Sequence, residues 1–260
     1  MIFDIITIFP NFFNSFVKEA LVARAIKKKI IDIRAHNLRQ WTFDNHKTVD
    51  GRPYGGGAGM VLMVEPILKA VNTLRNSKFQ IPNSKTGKRK SRVILFSAKG
   101  KTFNQAAARR LSKFDQLIFI CGRYEGIDER VVKYVADEEV SIGDYVLFGG
   151  EVPAMTVIEA VTRLLPGAVG KQKSLDDESF NPHPSFSRKR ERGKGERGME
   201  KKMMTTFLEY PHFTRPETVV ISGRKRAVPK VLLSGNHEKI ETWRKKQSWS
   251  ATKKRQKLLK

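Results

Sequence analysis

The first 170 residues alternate between short apolar runs and longer segments whose apolar residues recur at helical spacing. The apolar runs predict β-strands, and the spaced segments predict α-helices. Alternation of this kind indicates an α/β fold in which helices cover a mostly parallel sheet. Strands are predicted at residues 2–9, 30–34, 92–97, 116–121 and 145–148, and helices at residues 13–28, 66–74, 103–111, 129–135 and 154–165.

Glycine-rich turns follow two of these predicted strands. Gly122 follows the strand at 116–121, and Gly149 and Gly150 follow the strand at 145–148. Taken singly, each is typical of an ordinary turn, but ligands of parallel sheets bind beyond the carboxyl ends of the strands. Glycine also lets the backbone approach a ligand closely. Together the turns predict a cleft that holds a flat ring, with three further residues beside it: Tyr124, Glu125 and Asp144.

A third glycine-rich segment lies upstream, at residues 46–60. It has four glycines in the five positions 55–59, close to Arg52 and Tyr54. So many glycines disfavour both helix and strand. A flexible linker would be rich in Gly and Ser, without this content of Arg, Pro, Tyr and Asp. We therefore predict a binding loop.

Several other kinds of site are excluded by the sequence. Gly100 begins a Gly-Lys-Thr sequence after a predicted strand, but the phosphate-binding signature needs a glycine five positions earlier, where Leu95 stands. No Gly-x-Gly-x-x-Gly follows a predicted strand, which excludes a dinucleotide-binding site. The single cysteine, Cys121, ends a buried strand and is predicted to be a structural thiol. The five histidines lack metal-ligand spacing, so no metal site is predicted.

Positive charge is concentrated near the carboxyl terminus. The formal net charge is +24, and residues 188–260 contribute 22 basic and 7 acidic groups, a net of +15. A phosphate backbone is the common partner of such surfaces. We predict a catalytic domain at residues 1–170, a linker with a basic insertion at residues 171–206, and a mainly helical nucleic-acid-binding domain at residues 207–260.

The amino terminus does not resemble a signal peptide. Its apolar run contains Asp4 and ends at Pro10. No segment reaches the about 20 apolar residues that a membrane span requires. A single cysteine fits a reducing compartment. These features predict a cytoplasmic protein that has no membrane partner.

Five long strings resemble the bacterial tRNA (guanine-N1)-methyltransferases, the TrmD-type branch of the SPOUT superfamily. They are HKTVDGRPYGGGAGM, CGRYEGIDERV, SIGDYVLFGGEVPAMTVIEAVTRLLPGAVG, EYPHFTRPE and VPKVLLSGNHEKIETWR. The resemblance extends from residue 3 to about residue 257. It implies methyl transfer from S-adenosylmethionine to N1 of the guanine at tRNA position 37. It also implies a deep trefoil knot, a small carboxyl-terminal helical domain that binds tRNA, and a homodimer with its active site at the subunit interface.

The resemblance also implies roles for individual residues. It assigns Arg163 as the cation that stabilises charge on guanine O6, and it places the base at the residue before Ser179. The implied cofactor-binding residues are Phe96, Ser97, Gly122, Tyr124, Glu125, Ile142, Gly143, Tyr145, Leu147, Gly149, Gly150 and Pro153. The implied guanine-binding residues are Asp50, Arg52, Tyr54, Gly55, Gly56 and Gly59.

This chain departs from the family pattern at the base. The family has aspartate at that position, and here it is Glu178, whose side chain is one methylene longer. We take Glu178 as the base, with Asp177 as the alternative. The sequence also leaves open whether Mg²⁺ assists.

Two other functions compete with this interpretation. One is a basic RNA-binding protein that kept the fold and is catalytically impaired. The other is a related enzyme that methylates a ribose hydroxyl, against which the glycine-rich loop argues.

The basic insertion at residues 187–202 is expected to be disordered without tRNA and to contribute to tRNA binding. Deleting residues 187–202 should raise the KM for tRNA with little change in kcat. The reason is that basic residues strengthen tRNA binding by releasing counterions from the phosphates, whereas they take no part in the methyl transfer. Steady-state kinetics over a salt series measures this effect. A tRNA affinity that stays the same at every salt concentration would remove the role of the insertion.

Overall fold

A computed structural model describes residues 1–56, 58–76, 90–170, 179–182 and 206–258 of the 260-residue chain. These residues fall into two compact units, Met1–Gly170 and Lys171–Lys260, and each is described by itself.

The first unit is built around a five-stranded sheet. Its strand order is β2-β1-β6-β5-β7, and every neighbouring pair is parallel. The predicted α/β class with a mostly parallel sheet is therefore confirmed. Its elements are β1 Ile2–Thr7, α1 Ala20–Lys27, β2 Asp32–Asn37, β3 Asp50–Gly51, β4 Val61–Leu62, α2 Val64–Asn76, β5 Ser91–Thr102, α3 Gln105–Leu111, β6 Gln116–Ile120, α4 Glu129–Tyr134, β7 Glu138–Ser141 and α5 Glu151–Thr162.

Helices cover both faces of this sheet. Successive residues of β6 show the arrangement: Phe119 packs on the side of α1, α3 and α5, whereas Ile118 and Ile120 pack on the side of α2 and α4. All three side chains are buried. Since both faces are covered, most residues of the central strands are apolar, which is why these strands could be identified in the sequence.

The last strand of the sheet lies earlier in the chain than predicted. The strand expected at 145–148 is wrong, because that segment is a loop, with Val146 90% and Phe148 94% exposed. The strand is instead β7, which contains Glu138 and therefore does not look like a buried strand. Glu138 is accommodated at the sheet edge by two arginines of neighbouring elements.

The predicted helix at 13–28 is divided in two. Phe16–Lys18 forms a turn of 3₁₀ helix, and α1 begins only at Ala20. Ala20 has a φ of +50°, a left-handed conformation that interrupts a continuous α-helix. Apolar spacing alone could not reveal this break, because the spacing continues through it.

The described part of the second unit combines short strands with helices. A hairpin of β10 and β11 turns at Ser222 and Gly223, both with positive φ, which is typical of a two-residue hairpin turn. Within the described ranges, no helix is both long enough and apolar enough to cross a lipid bilayer. The elements are β8 Asn181–Pro182, β9 Thr206–Phe207, β10 Thr218–Ile221, β11 Arg224–Ala227, α6 Lys230–Leu233 and α7 His237–Leu258.

Glu138 links three elements at the amino end of β7. It accepts hydrogen bonds from Arg92 Nε of β5 at 2.7 Å and from Arg110 Nη1 and Nη2 of α3 at 2.6 and 2.5 Å. Partial burial alone would raise the pKa of the Glu138 carboxyl. The hydrogen bonds and charges of Arg110 and Arg92 outweigh that effect and hold this pKa below its usual value.

Glu138→Gln should therefore lower the free energy of unfolding at pH 7 by about 1–2 kcal/mol. Because the folded-state pKa is lowered, this stabilisation is present above the unfolded-state pKa and is lost as pH falls through the folded-state value. Urea unfolding followed by circular dichroism should show the difference at pH 7 and a smaller one near pH 3. The matched control is Glu129→Gln, whose exposed carboxylate lies 3.9 Å from Lys99 Nζ. An equal effect of the two substitutions at pH 7 would contradict the assignment.

Candidate active site

One cavity lies at the carboxyl ends of β5, β6 and β7. Its volume is about 350 Å³, within the range of small-molecule sites. It is bordered by the loop that interrupts β5, by the turn after β6 and by the segment between β7 and α5. The structure brings all twelve of the expected cofactor residues to its wall: Phe96, Ser97, Gly122, Tyr124, Glu125, Ile142, Gly143, Tyr145, Leu147, Gly149, Gly150 and Pro153.

The first wall is a short excursion within β5. Both Phe96 and Lys101 pair with the same residue of β7, Val140, so residues 97–100 leave the sheet and return to the point they left. Gly100 makes the return possible, because a Cβ there would lie 2.5 Å from the backbone nitrogen of Val140. The Gly-Lys-Thr sequence is therefore the returning strand, in agreement with its exclusion as a phosphate-binding loop.

The second wall depends on a close approach of two backbones. The Gly150 amide, at the start of α5, donates to the Gly122 carbonyl at 3.1 Å. A Cβ on Gly150 would lie 2.6 Å from the Cα of Cys121, so only glycine fits without a backbone shift. This contact joins the turn after β6 directly to the start of α5.

A tyrosine ring covers the turn that follows β7. The Tyr145 ring lies so close to Gly143 that a Cβ there would be 2.4 Å from a ring carbon. The Tyr145 hydroxyl donates to the Ile142 carbonyl at 3.2 Å. A flat aromatic face therefore stands on this wall.

The turn after β6 also contacts the glycine-rich loop. Tyr124 has a φ of +61°, an uncommon conformation for a residue with a side chain. The next amide, of Glu125, donates to the Met60 carbonyl at 3.0 Å. The Glu125 side chain packs on Gly59, where a Cβ would lie 2.4 Å from its Cγ. The loop is thus attached to a residue that lines the cavity.

None of the six expected guanine-binding residues lines the cavity itself. Asp50 lies in β3, which pairs with β4. Arg52 and Tyr54 are exposed, and Gly55 and Gly56 have positive φ. Gly59 does contact the cavity wall, because the side chain of Glu125 packs on it. Gly57 lies outside the described residues.

The expected cation, Arg163, does not line this cavity. Arg163 is half-buried just beyond the carboxyl end of α5, whereas the amino end of that helix borders the cavity. The rise of the helix places Arg163 about 18 Å along the axis from Glu151. Asp177 and Glu178 lie outside the described residues, as does the basic insertion at 187–202.

Cys121 is a buried thiol beneath the cavity. Burial raises its pKa well above the usual value, and the negative charge of Glu151 adds to this effect, whereas the charge of Arg123 opposes it. The thiol therefore stays protonated and unreactive near neutral pH. The prediction of a structural thiol is confirmed.

Three polar residues at and behind the cavity wall were not identified as a group from the sequence. Thr7, Arg123 and Glu151 form a connected group in which Thr7 Oγ1 donates to Glu151 Oε1 at 2.6 Å. Arg123 Nη2 lies 2.9 Å from Glu151 Oε2. The available signals were a threonine at the end of an apolar strand and an acidic residue at the start of an apolar helix, and both patterns are common.

The second unit presents a long basic helix, α7. Aromatic side chains pack along it: Trp243 lies 6.3 Å from Phe213 between ring centroids, and Arg244 lies 4.8 Å from the Tyr210 ring. Lys253 lies over Trp249 at 4.9 Å. Cations beside partly exposed rings suit a nucleic acid, which offers both phosphates and bases.

Comparison with known proteins gives a consistent result. The family model described as tRNA (Guanine-1)-methyltransferase TrmD matches residues 1–260. Three similar proteins, all named tRNA (guanine-N(1)-)-methyltransferase, come from Carboxydothermus hydrogenoformans, Dictyoglomus turgidum and Pasteurella multocida. The first is 45% identical over 94% of this chain and 81% of its own length, the second 44% over 96% and 85%, and the third 42% over 97% and 88%. The chain therefore belongs to the TrmD family of tRNA (guanine-1)-methyltransferases.

Proposed function

We propose that this protein transfers a methyl group from S-adenosylmethionine to N1 of the guanine at position 37 of tRNA. The observation that carries the proposal is the convergence of all twelve expected cofactor residues on one cavity, in a chain that belongs to this family. The names of the similar proteins favour an enzyme over the competing interpretation of an impaired RNA-binding protein, which would keep the same cavity. The ribose-methylating alternative gives no reason for the glycine-rich loop that contacts Glu125.

The cavity residues fit the proposed methyl donor. Gly122, Gly143 and Gly150 leave parts of the cavity wall without side chains, and the Tyr145 ring offers a flat surface beside them. A pocket with a flat aromatic face suits an adenine ring. When bound, S-adenosylmethionine supplies a methyl group on a positively charged sulfur.

The chain must supply a base and a cation for this reaction. Guanine N1 carries a proton at neutral pH, so the proton has to leave as the bond from N1 to the methyl carbon forms and the bond from sulfur breaks. We propose that Glu178, or else Asp177, accepts this proton. Negative charge then builds on guanine O6, and Arg163 stabilises it, since a guanidinium stays protonated and donates hydrogen bonds.

We propose that two copies of the chain form each active site. Arg163 stands about 18 Å along α5 from the cavity end of the helix, too far to reach a reacting atom beside its own cavity. A cluster of apolar side chains is exposed close to that cavity: Phe9, Phe12, Val146 and Phe148. Exposed apolar patches of this kind mark association surfaces. A homodimer would cover them and bring Arg163 of one copy to the cavity of the other.

The remaining parts of the family's fold belong to the same proposal. The trefoil knot would lie where Gly150 passes against Gly122, since this is the tight crossing of the chain beside the cavity. The second unit would form the small helical domain that binds tRNA, with the basic helix α7 as its main contact. Its cations and aromatic rings are the support for that role. A cytoplasmic location follows from the proposed substrate.

Incubating the protein with a tRNA transcript and S-adenosylmethionine, followed by nucleoside analysis, tests the reaction. We expect 1-methylguanine at position 37 and no product from a transcript with adenine there. The absence of product, or a 2′-O-methyl nucleoside, would contradict the proposal. The same assay with EDTA decides whether Mg²⁺ is needed.

The base is tested with the same assay under single-turnover conditions. Glu178→Ala should lower the methylation rate by about 100-fold or more, because the N1 proton loses its acceptor. Asp176→Ala, which changes a nearby carboxylate, is the matched control and should keep most of the rate. If Asp177→Ala abolishes methylation while Glu178→Ala retains it, Asp177 is the base.

The shared active site predicts complementation between inactive variants. Arg163→Ala and the cavity variant Gly122→Val should each be inactive alone. Co-refolding them in equal amounts should restore about a quarter of wild-type activity, because half of the dimers are mixed and each mixed dimer has one complete site. The control is a mixture of the two variants refolded separately, in which the subunits have not exchanged and no mixed dimers form. No recovery despite demonstrated exchange would place Arg163 and the cavity of one active site in the same subunit.

A further inference from the structure

A largely buried ion pair lies at the cavity wall, outside the proposed chemistry: Arg123 borders the cavity and Glu151 lies behind it. Glu151, the first residue of α5, has no exposed surface, and the Arg123 side chain is only 15% exposed. Arg123 Nη2 lies 2.9 Å from Glu151 Oε2. Arg123 follows Gly122, and Glu151 follows Gly150, so the pair joins the two turns whose backbones meet at the cavity.

Glu151 is fixed from a third element. Thr7, the last residue of β1, donates from Oγ1 to Glu151 Oε1 at 2.6 Å. The same hydroxyl oxygen accepts from the Phe9 amide at 2.9 Å. The carboxylate is therefore held between Arg123 and the carboxyl end of β1.

Arg123 is enclosed on its other sides. Its guanidinium lies 4.9 Å from the Phe9 ring centroid and 5.5 Å from that of Phe12, and Nη1 donates to the Phe148 carbonyl at 3.4 Å. Gly149 leaves the space that the guanidinium occupies, since a Cβ there would lie 2.4 Å from Arg123 Nε. The Arg123 side chain is therefore confined between the two phenylalanine rings and the two glycine turns.

Stability alone does not account for this arrangement. A buried ion pair is often no more stabilising than apolar side chains of the same size, because both charges must leave water. Within the described part of the chain, Arg123 Nε and Glu151 Oε2 make no hydrogen bond, so the pair is incompletely satisfied as well. Its distinguishing property is geometry: it connects the turn after β6, the start of α5 and the end of β1.

We propose that Arg123 and Glu151 are positioning residues, which hold the Gly122 turn and the Gly149-Gly150 turn at the separation that the methyl donor requires. The inference rests on the proposed function, because it assumes that the cavity binds this donor. Neither side chain takes part in proton or methyl transfer. Loss of the pair should let the turns move apart and weaken donor binding, while tRNA binding by the second unit is unaffected.

Calorimetric titration with S-adenosylhomocysteine, the demethylated donor, tests this without requiring turnover. Arg123→Met should raise its Kd by about 10-fold or more, since displacements of about 1 Å at a site have effects of this size. It should also lower the Tm, because Glu151 is left buried and unpaired. The Kd for tRNA alone should not change.

The double variant Arg123→Met with Glu151→Gln separates positioning from folding. It removes both charges and should recover most of the Tm, yet its Kd for S-adenosylhomocysteine should stay raised. Arg123→Lys keeps the charge and loses the planar group between the rings, and its Kd should lie between those of wild type and Arg123→Met.

The matched control is Arg75→Met, which breaks the ion pair with Asp137 at the amino end of the sheet, 2.5 Å from Nη2 to Oδ2. Its Kd for S-adenosylhomocysteine should equal that of wild type. A double variant with both wild-type Tm and wild-type Kd would overturn the inference and leave the pair a folding role. A wild-type chain that fails to bind S-adenosylhomocysteine would instead overturn the proposed function, and the inference with it.

Discussion

The close approach of Gly122 and Gly150 is the contact on which the rest of the first unit depends. Their hydrogen bond and the short distance from Gly150 to Cys121 bring the chain after β6 against the start of α5. A side chain on Gly150 would separate these segments, because no space remains there for a Cβ. The cavity, the direction of α5 and the enclosure of Arg123 all follow from this single approach.

The central strands of the sheet could be predicted from the sequence, but the edge strand β7 could not. Central strands such as β6 are buried on both faces, so their residues are mostly apolar and the pattern is unambiguous. β7 carries Glu138, whose partners Arg92 and Arg110 lie far away in the chain, and no local pattern shows that pairing. The apolar residues at 145–148 resembled a strand because an exposed apolar surface and a buried strand have the same composition.

The lining of the cavity could be predicted from the sequence, but the polar group behind it could not. The glycine turns pointed to the cavity, although the segment before Gly149 is a loop and not the expected strand, and the family resemblance named twelve of the lining residues. The group of Thr7, Arg123 and Glu151 could not be predicted, because its members are 116 and 28 positions apart and each is ordinary in its local context. Such a group becomes visible only when the fold brings its members together. The roles of Glu178 and Asp177 depend on the resemblance alone.

The excursion at 97–100 has a consequence for how this cavity can change. Because Phe96 and Lys101 pair with the same residue of β7, the pairing of β5 with β7 does not depend on the number of residues between them. One wall of the cavity can therefore be lengthened, shortened or exchanged while the hydrogen-bonding register on either side stays as it is. The wall formed by Gly122 and Gly150 has no such freedom. The cavity thus joins an adjustable side to an invariable one, and its shape can be altered through the adjustable side alone.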